Sequence, residues 1–476
     1  MPRFPPVRCA PLAALALLVA CGDAVPYARK PALEPMVAVP SIVRPIEAAP
    51  PPAAEAPPEE PPAPTVVGSL ERPASLRHFF EALARIDAGQ AHDDVRILQF
   101  GDSHTAADYE TGPLRRALQA RFGDGGRGFV QIGKPWKWYV QEGLHVVGMT
   151  GWSMERGKVS HGAFAGDGLY GLLGVSIESS RKGARAWTAV AAPTSKLELA
   201  FLAQPNGGSV DLLVDGAKTA RIKTRGKGPT SGYQAVDLTD EPHQIEIQAV
   251  GDGAVRVFGM TLDRAQVGVT LDALGINGAR IANLLTWSEP HMAEQLRHRA
   301  PDLVVLAYGT NESGDDVPIA SYERQLVDAL GRMARAVPSA SCMLLGPPDR
   351  AIRVDGDWTT IPRLLEIVDA QRRVAAAAGC AYYSQLDAMG GPGTIAAWAL
   401  EQPKARAQAD RVHLSRDGYA QLGNQVAADV VSAYDAWRAQ KHLPPVQALP
   451  PPPPPPPPVP QLQPGEPIAA GEERSF

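Results

Sequence analysis

The sequence predicts a three-layer α/β/α domain interrupted by an inserted antiparallel β-sandwich. On both sides of a long central region, apolar runs of strand length alternate with stretches of helical periodicity, as expected of a parallel sheet covered by helices. The central region instead combines period-two apolar alternation with tight-turn signals, which indicates antiparallel strands. Both ends of the chain are rich in proline and alanine and carry too little apolar surface to form a core.

These patterns divide the 476 residues into six segments. In order, they are a signal peptide (1–20), a Pro/Ala-rich disordered tether (21–75), the first part of the α/β domain (76–150), the jelly-roll-like β-sandwich (151–269), the second part of the α/β domain (270–440) and a Pro-rich disordered tail (441–476). The net charge of −5, without a long basic cluster, argues against nucleic acid as a partner. No feature of the sequence indicates an oligomeric state.

The N-terminus has the features of an export signal. Arg3 and Arg8 precede an apolar run over residues 10–20, which is too short to be a comfortable membrane-spanning helix. The run ends in Leu-Val-Ala-Cys at Cys21, which resembles a bacterial lipobox. The resemblance implies a lipidated Cys21 that attaches the protein to a membrane of the bacterial cell envelope, on its periplasmic face. An ordinary secretory signal with an incidental cysteine is the alternative, and inner and outer membrane both stay open.

Two cysteines remain in the mature part of the chain. Cys342 and Cys380 each stand at the start of an apparent strand. Neighbouring parallel strands would bring the two thiols close together, and an oxidising compartment would let a disulfide persist. The sequence leaves two readings open, a Cys342–Cys380 disulfide or two buried thiols.

The first strand of the α/β domain leads to a serine. The run Val95–Gly101 has strand character, Ser103 follows it, and a helical pattern extends from Thr105 to Phe122. A strand thus delivers Ser103 to the start of a helix, where free backbone N–H groups can stabilise a developing oxyanion. We therefore predict that Ser103 is a nucleophile.

The sandwich prediction depends on alternation and turns. Apolar residues alternate from Leu197 to Phe201 and from Val210 to Val214, and Asn206-Gly207 and Asp215-Gly216 are hairpin signals. Three aromatic residues of this region could stack on sugar rings, but aromatic residues in strands lie more often in a core. They are Trp187, Phe201 and Tyr233. None of the three is predicted as a ligand.

After the sandwich, the strand–helix alternation resumes. The predicted strands are Val269–Leu274 and Leu303–Ala307, and the predicted helices cover about Ile319–Ala336, Pro362–Ala378 and Arg416–Gln440. The nearly continuous apolar character of Leu303–Ala307 is typical of a parallel strand that is buried on both faces.

Three polar loops should meet at one edge of the parallel sheet. One follows Val95–Gly101, one contains Gly309-Thr310-Asn311, and one contains Asp410-Arg411-Val412-His413. Catalytic groups in such sheets collect at the carboxyl ends of the strands. No cluster of histidine, cysteine and acidic residues shows metal-ligand spacing, and we expect neither a metal nor a cofactor.

These loops together resemble the SGNH hydrolases, a branch of the GDSL esterases. Ser103 matches the first block, Gly278 is the candidate glycine of the second, Asn311 matches the third, and Asp410 and His413 match the Asp-x-x-His block. The resemblance implies the three-layer SGNH-hydrolase fold and a Ser103–His413–Asp410 triad. It also implies an oxyanion hole made by the backbone N–H groups of Ser103 and Gly278 and the Asn311 amide.

A narrower resemblance comes from the residues around the serine. Residue 104 is His where the archetypal motif has Leu, and the stretch Gly101–Asp108, followed by Arg121–Gly126, resembles the peptidoglycan O-acetylesterases of the SGNH type. That group carries a carbohydrate-module-like β domain at the place of the predicted sandwich. The implied reaction removes acetyl from the C6 hydroxyl of N-acetylmuramic acid, with O-acetylated cell-wall glycan as the substrate. Asp102 is predicted to be structural, tying the turn through its own hydrogen bonds.

Three other functions remain open at this point. The same triad would serve a deacetylase of another polysaccharide or an O-acetyltransferase, because only the acceptor of the acetyl group differs. From a different class, the protein could be a catalytically silent glycan-binding lipoprotein with the β domain as the binder. A lipase is disfavoured because the sequence has no long apolar lid segment.

Overall fold

The computed structural model describes residues 65–160, 163–444 and 446. The predicted signal peptide, the lipidation of Cys21, most of the tether and most of the tail lie outside these residues. In the described part of the chain, no helix is long and apolar enough to cross a membrane.

The strands and helices follow in chain order. The strands are β1 (Val66–Val67), β2 (Leu70–Glu71), β3 (Val95–Gly101), β4 (Gly126–Val130), β5 (Leu144–Thr150), β6 (Ser153–Arg156), β7 (Lys158–Ser160), β8 (Ala163–Ala165), β9 (Val175–Ser179), β10 (Arg185–Ala203), β11 (Ser209–Val214), β12 (Ala217–Lys223), β13 (Thr230–Ala249), β14 (Val255–Asp263), β15 (Val269–Gly275), β16 (Leu303–Ala307), β17 (Ser341–Gly346), β18 (Ala351–Val354), β19 (Asp357–Thr360) and β20 (Ala381–Ser384). The helices are α1 (Arg77–Asp87), α2 (Ser103–Ala106), α3 (Thr111–Phe122), α4 (Glu289–Arg299), α5 (Ile319–Ala336), α6 (Pro362–Ala378), α7 (Gln385–Met389), α8 (Thr394–Trp398) and α9 (Arg416–Gln440), with short 3₁₀ turns at Pro73–Leu76, Ile281–Thr286 and Glu312–Gly314.

The α/β domain is built on one mainly parallel sheet. Its strand order is β1-β2-β20-β17-β16-β3-β15, in which β20 to β15 run parallel and the β1–β2 hairpin adds an antiparallel edge. Strand β3 comes first in the chain among the parallel strands, yet it lies between β15 and β16. The strand order therefore reverses beside β3, and a crevice opens there at the carboxyl ends of the strands.

Helices cover both faces of this sheet, which confirms the predicted three layers. In β16, Leu303 and Val305 belong to one buried cluster with residues of α1, α3 and α9. The alternate residues Val304 and Leu306 belong to another cluster with residues of α4, α5 and α6. This strand is apolar throughout because its side chains enter a core on both sides.

The inserted region is an antiparallel β-sandwich, as predicted. Its two longest strands, β10 and β13, bend from one layer into the other. The first half of β10 pairs with β5 and β13, and its second half pairs with β13 and β14. The pairing of β10 with β13 shifts in register between Val190 and Lys196, where the strands turn the corner. Asp215-Gly216 joins the paired strands β11 and β12, whereas the Asn206-Gly207 turn connects β10 to β11, which are not paired.

The sandwich sheet begins earlier than the predicted boundary at residue 151. Strand β4 pairs with β14, and β5 pairs with β10, so residues from 126 onward already belong to it. The sequence pattern does not indicate β4, because the glycines at its start carry no apolar side chain that could show a period-two alternation.

The predicted tether also ends earlier than residue 75. Strands β1 and β2 close the edge of the parallel sheet, and Leu70 is fully buried against it. The carboxylate of Asp429 in α9 accepts a 3.0 Å hydrogen bond from the backbone N–H of Ser69. Leu70 supplies the apolar contact that the preceding Pro/Ala-rich segment lacks, and burying a leucine contributes about 1.5–3 kcal/mol.

Two further predictions have clear outcomes. Cys342 and Cys380 form a disulfide with Cα atoms 4.9 Å apart, because β17 and β20 are parallel neighbours. The helix predicted from Thr105 to Phe122 is instead divided into α2 and α3. The break occurs at Asp108, whose φ of 55° cannot continue a helix.

Candidate active site

The predicted serine lies on a tight turn at the carboxyl end of β3. The Asp102 carboxylate accepts a 2.9 Å hydrogen bond from the backbone N–H of His104, so this side chain has the structural role predicted for it. Glycines at the ends of β3 and β15 allow the serine turn to pack closely against the sheet. A Cβ at Gly101 would lie 2.2 Å from the Thr105 hydroxyl, and one at Gly275 would lie 2.3 Å from the Ala106 nitrogen. The turn therefore needs glycine at both positions.

The structure brings Ser103, His413 and Asp410 into one hydrogen-bonded chain. Ser103 Oγ lies 3.0 Å from His413 Nε2, and His413 Nδ1 lies 2.7 Å from Asp410 Oδ2. The other carboxylate oxygen of Asp410 accepts 3.0 Å hydrogen bonds from the backbone N–H groups of Val412 and His413. These two bonds fix which oxygen faces the imidazole. A proton on Nδ1 leaves Nε2 free to accept the serine proton.

The triad is accessible from solvent. The side chains of His413 and Asp410 are 34% and 45% exposed. Partial burial works to raise the pKa of Asp410, but hydrogen bonds from the His413 side chain and from the two backbone N–H groups outweigh it and lower that pKa. Asp410 is therefore a carboxylate at neutral pH, which is the state that orients an imidazole and stabilises its charged form.

The unusual histidine beside the nucleophile packs on the catalytic imidazole. The ring of His104 lies 5.4 Å from that of His413, and its Nδ1 is 2.9 Å from the Tyr419 hydroxyl. Burial, reinforced by the charge of His413, lowers the pKa of His104 to about 3. His104 is thus neutral at physiological pH, and with this lowered pKa it is too weak a base to take the serine proton. It supports His413 without placing a second positive charge beside it.

The two predicted oxyanion donors after the serine lie on neighbouring loops. Gly278 has a φ of +75° and open space around its Cα, as a backbone donor that faces a substrate requires. Asn311 Nδ2 donates to the carbonyl oxygen of Ala279 at 2.9 Å and lies 3.4 Å from Asp102 Oδ2. The second contact is too long for a strong hydrogen bond, so that N–H can turn to an incoming oxygen.

A buried glutamate, which sequence reasoning missed, joins these two loops. Glu312 accepts hydrogen bonds from the backbone N–H of Ile281 at 2.7 Å and from that of Gly309 at 3.1 Å. Burial raises its pKa to about 6, although the backbone donors act in the opposite direction. Its position directly after Asn311 was the available signal. Glu312 therefore fixes the positions of the Gly278 and Asn311 loops relative to each other.

Asp108 ties the serine turn to the inserted domain. It pairs with Arg115 of α3 at 3.2 Å and with Arg127 of β4 at 2.7 Å, and it accepts the backbone N–H of Glu142 at 2.9 Å. Burial would raise the pKa of Asp108, but the two arginine charges lower it to about 2. The sequence singled out the stretch that ends at Asp108, and the structure shows that this residue acts through its contacts.

The loop between β4 and β5 passes beside the active site. We call residues 131–143 the rim loop. Its Trp136 Nε1 donates a 2.9 Å hydrogen bond to the Asn277 side chain, next to Gly278. Its Gln141 amide lies 3.5 Å from the carbonyl oxygen of Ala106, at the end of α2. The loop had no predicted function, although its three aromatic residues within four positions were an available signal.

A cleft of about 690 Å³ opens beside the Gly278 loop. The sandwich contributes Arg156, Gly157 and Gly174 to its wall, and the α/β domain contributes the remaining residues. Those include Asn277, Gly278, Arg280, Asp315 and Asp316. Arg280 is held by Asp315 through two 2.6 Å hydrogen bonds. Ser103 does not line the cleft, but Gly278 does, so the cleft adjoins the oxyanion side of the triad.

Of the three aromatic residues considered in the sandwich, one is core, one packs on a neighbouring strand of the same sheet and one contacts the α/β domain. Phe201 is buried in the sandwich core. Tyr233 stacks on His298 of α4 with ring centroids 3.5 Å apart, and Trp187 lies across Gly148. Among the residues that the structure describes, no group of three or more histidine, cysteine or acidic side chains could hold a metal ion.

Comparison with known families agrees with this geometry. Residues 236–421 match the GDSL-like Lipase/Acylhydrolase family. The match contains Gly278, Asn311, Asp410 and His413, and it begins downstream of Ser103, within strand β13 of the sandwich. This likeness and the hydrogen-bonded triad make the protein a serine hydrolase. Its reaction class is the cleavage of carboxylic esters.

One solved structure extends the likeness of this serine hydrolase over most of the chain. The structure described as "Peptidoglycan O-acetylesterase in action, 5 min" is 26% identical, with a TM-score of 0.62 over 75% of this chain and 96% of that chain. A family two carbohydrate esterase from Cellvibrio japonicus has 12% identity and a TM-score of 0.26 over 65% of this chain and 98% of its own. The acetyl xylan esterase AlAXEase has 20% identity and a TM-score of 0.26 over 35% of this chain and 81% of its own. No curated protein matches the chain.

Proposed function

We propose that this hydrolase removes O-acetyl groups from cell-wall glycan, and that its substrate is peptidoglycan acetylated on the C6 hydroxyl of N-acetylmuramic acid. The observation that carries the proposal is the match to a peptidoglycan O-acetylesterase over 96% of that chain, at a TM-score of 0.62. The match is supported by a complete Ser103–His413–Asp410 hydrogen-bond chain at the sheet edge where such chemistry takes place.

The proposed reaction proceeds through an acetyl-enzyme. Ser103 Oγ attacks the acetyl carbonyl carbon while its proton passes to His413 Nε2. The bond between the carbonyl carbon and the sugar oxygen then breaks, and His413 returns the proton to that oxygen, which leaves as the sugar hydroxyl. Water next attacks the acetyl-enzyme with His413 again as the base. Acetate leaves and Ser103 regains its proton. Asp410 stabilises the imidazolium that forms in each half-reaction.

The negative charge on the carbonyl oxygen needs donors that are already in place. The proposed donors are the backbone N–H groups of Ser103 and Gly278 and the side-chain amide of Asn311. Glu312 fixes the loops of Gly278 and Asn311, and loss of one such donor costs on the order of 10²–10³-fold in kcat. The contact between Asn311 and Asp102 would be exchanged for the oxyanion when substrate binds.

We also propose that Cys21 is lipidated and holds the enzyme on a membrane of the bacterial cell envelope, within reach of the glycan. The support is the lipobox-like end of the N-terminal apolar run. Metabolic labelling with a radioactive fatty acid tests this step. Label is expected on the wild-type protein and not on Cys21→Ser, and equal labelling of both would contradict it.

The decisive assay for the reaction measures acetate released from O-acetylated peptidoglycan. Wild type and the exposed-serine control Ser339→Ala should release it, and Ser103→Ala should not. Activity in Ser103→Ala would refute the mechanism. Hydrolysis of a small acetyl ester without acetate release from peptidoglycan would identify another substrate. Acetylated product on an added glycan acceptor would identify an acetyltransferase, and inactivity of the folded wild type on every ester would leave a glycan-binding role.

A further inference from the structure

We infer that Trp138 and Lys137 of the rim loop form a sugar-binding subsite beside the nucleophile. This inference rests on the proposed function, since it concerns the glycan strand that carries the ester. The occupant is a sugar ring next to the acetylated residue, stacked on the indole of Trp138. Lys137 supplies a positive charge to the acidic groups that such a strand carries.

The location of Trp138 follows from two anchor points of the rim loop. On one side, Trp136 donates to the Asn277 side chain, one residue before the oxyanion glycine Gly278. On the other side, Gln141 contacts the carbonyl oxygen of Ala106 at the end of the serine-bearing helix α2. Trp138 lies between these anchors in the chain. Trp138 is therefore within three residues of a contact to the oxyanion loop and of a contact to the serine-bearing helix.

The rim loop is held in place by two of its own aromatic residues and by Arg127. Tyr139 is buried, its backbone N–H donates a 3.1 Å hydrogen bond to the carbonyl oxygen of Trp136, and its hydroxyl accepts a 2.7 Å hydrogen bond from the backbone N–H of Gln131. Its ring meets that of Trp136 edge-on, with centroids 4.9 Å apart. Arg127 adds a 2.9 Å hydrogen bond to the carbonyl oxygen of Glu142. Trp138 is thus presented by a loop that needs little ordering when a ligand binds.

Trp138 itself is turned outward. Its side chain is 63% exposed, and Val140, two residues on, is 40% exposed. Among the described residues, Trp138 is the one tryptophan in the set of exposed large apolar side chains, and it lies in the loop that is anchored beside Gly278. The Lys137 ammonium lies 4.6 Å from the centre of the indole and occupies one face of the ring. A ligand that stacks on the indole would therefore take the opposite face.

A sugar ring fits this surface better than an apolar partner does. The exposed apolar area is a single indole with one valine, and it is bordered by a cation. The neighbouring cleft, which shares Asn277 with the Trp136 contact, is lined by polar groups of both signs, among them Arg156 and Asp316. A sugar offers a flat C–H face for stacking and hydroxyl groups for such a polar border.

The two tryptophans of the rim loop allow a sharp experiment. Trp138→Ala is compared with the conservative Trp138→Phe and with Leu400→Ala, which removes an equally exposed apolar residue elsewhere. The readout is the ratio of kcat/KM on O-acetylated peptidoglycan to kcat/KM on 4-nitrophenyl acetate. Trp138→Ala should lower this ratio about tenfold through KM, Trp138→Phe should recover most of it, and Leu400→Ala should match wild type. An unchanged ratio in Trp138→Ala overturns the inference.

A second measurement separates this inference from the proposed function. Trp138→Ala is combined with Ser103→Ala. Binding of this double variant to insoluble peptidoglycan is compared with binding of Ser103→Ala alone. Reduced binding by the double variant supports the subsite even if wild type releases no acetate from peptidoglycan. Equal binding of the two refutes the subsite, whatever the enzyme hydrolyses. Trp136→Phe provides the contrast, because loss of its bond to Asn277 should lower kcat on both substrates alike.

Discussion

The role of the Asp410 carboxylate can be tested by two substitutions. The more conservative one, Asp410→Asn, should lower kcat more than Asp410→Ala does. In Asp410→Ala, the carboxylate is lost and His413 can still take either tautomer. In Asp410→Asn, the side-chain oxygen should stay where the backbone N–H groups of Val412 and His413 donate to it. The amide –NH₂ then faces His413 Nδ1 and donates to it. This places the imidazole proton on Nε2, where it blocks proton transfer from Ser103.

The expected magnitudes follow from the geometry. His413 Nδ1 and Asp410 Oδ2 are 2.7 Å apart. Unit charges at this distance attract by about 6 kcal/mol at an effective dielectric constant of 20 and by about 1.5 kcal/mol in water. Both side chains are substantially exposed, so about 3 kcal/mol is a reasonable intermediate value. Asp410→Ala should therefore lose about a hundredfold in kcat. Asp410→Asn should lose about 10³–10⁴-fold because it also fixes the wrong tautomer.

The assay is kcat on 4-nitrophenyl acetate at pH 7, with thermal unfolding as the check that both variants fold. Background hydrolysis by Ser103→Ala sets the floor of the measurement. The reasoning fails if Asp410→Asn is as active as Asp410→Ala, since the orientation of the carboxyl group would then have no consequence for the tautomer.

Two further predictions concern the buried charges around the serine turn. Asp108→Asn should lower the free energy of unfolding by about 3–5 kcal/mol in urea denaturation, because it leaves the charges of Arg115 and Arg127 buried with less compensation. The control is Arg116→Ala, at an exposed position next to Arg115 in α3, which should cost less than about 1 kcal/mol. The folded pKa of Asp108, about 2, is below its unfolded value, so its stabilising contribution is present above pH 4 and is lost as the pH falls through 2. Glu110 behaves in the opposite way. Burial and the nearby Asp102 raise its pKa to about 8, although a hydrogen bond from Gln385 opposes the shift. Its contribution is full below about pH 4.5 and is lost as the pH rises through 8, so Glu110→Gln should flatten the fall in unfolding free energy between pH 5 and 8 by roughly 1 kcal/mol per pH unit. An equally steep fall in Glu110→Gln would show that Glu110 is already ionised at neutral pH.

Local periodicity was sufficient for the regular part of the α/β domain. The helices α5, α6 and α9 have the predicted bounds, and so does β16. Each is long enough or apolar enough for its pattern to be decided within its own residues. The three loops that converge on the active site could be named for the same reason. They follow recognisable strands, and the carboxyl ends of parallel strands meet at one edge.

The elements that were missed depend on contacts that no local pattern records. The hairpin of β1 and β2 is only a few residues long and is stabilised by pairing with β20, more than 300 residues away in the chain. Strand β4 contains two glycines and is held by pairing with β14. The division between α2 and α3 depends on the arginines that Asp108 meets in the folded protein. In each case, tertiary pairing overrides a weak local preference.

The contacts of the sandwich bear on what that domain does. Arg299 of α4 binds Asp263 of β14 and Asp272 of β15 within a fully buried cluster, so the end of the sandwich is fixed to the parallel sheet. Arg127 of β4 binds Asp108 beside the serine turn, and the rim loop that follows β4 reaches the residue before Gly278. A module that only tethers an enzyme to its polymer needs none of these bonds. Their arrangement instead makes the inserted domain a structural support of the catalytic loops and one wall of the adjoining cleft, so its removal should abolish activity on small esters as well as on glycan.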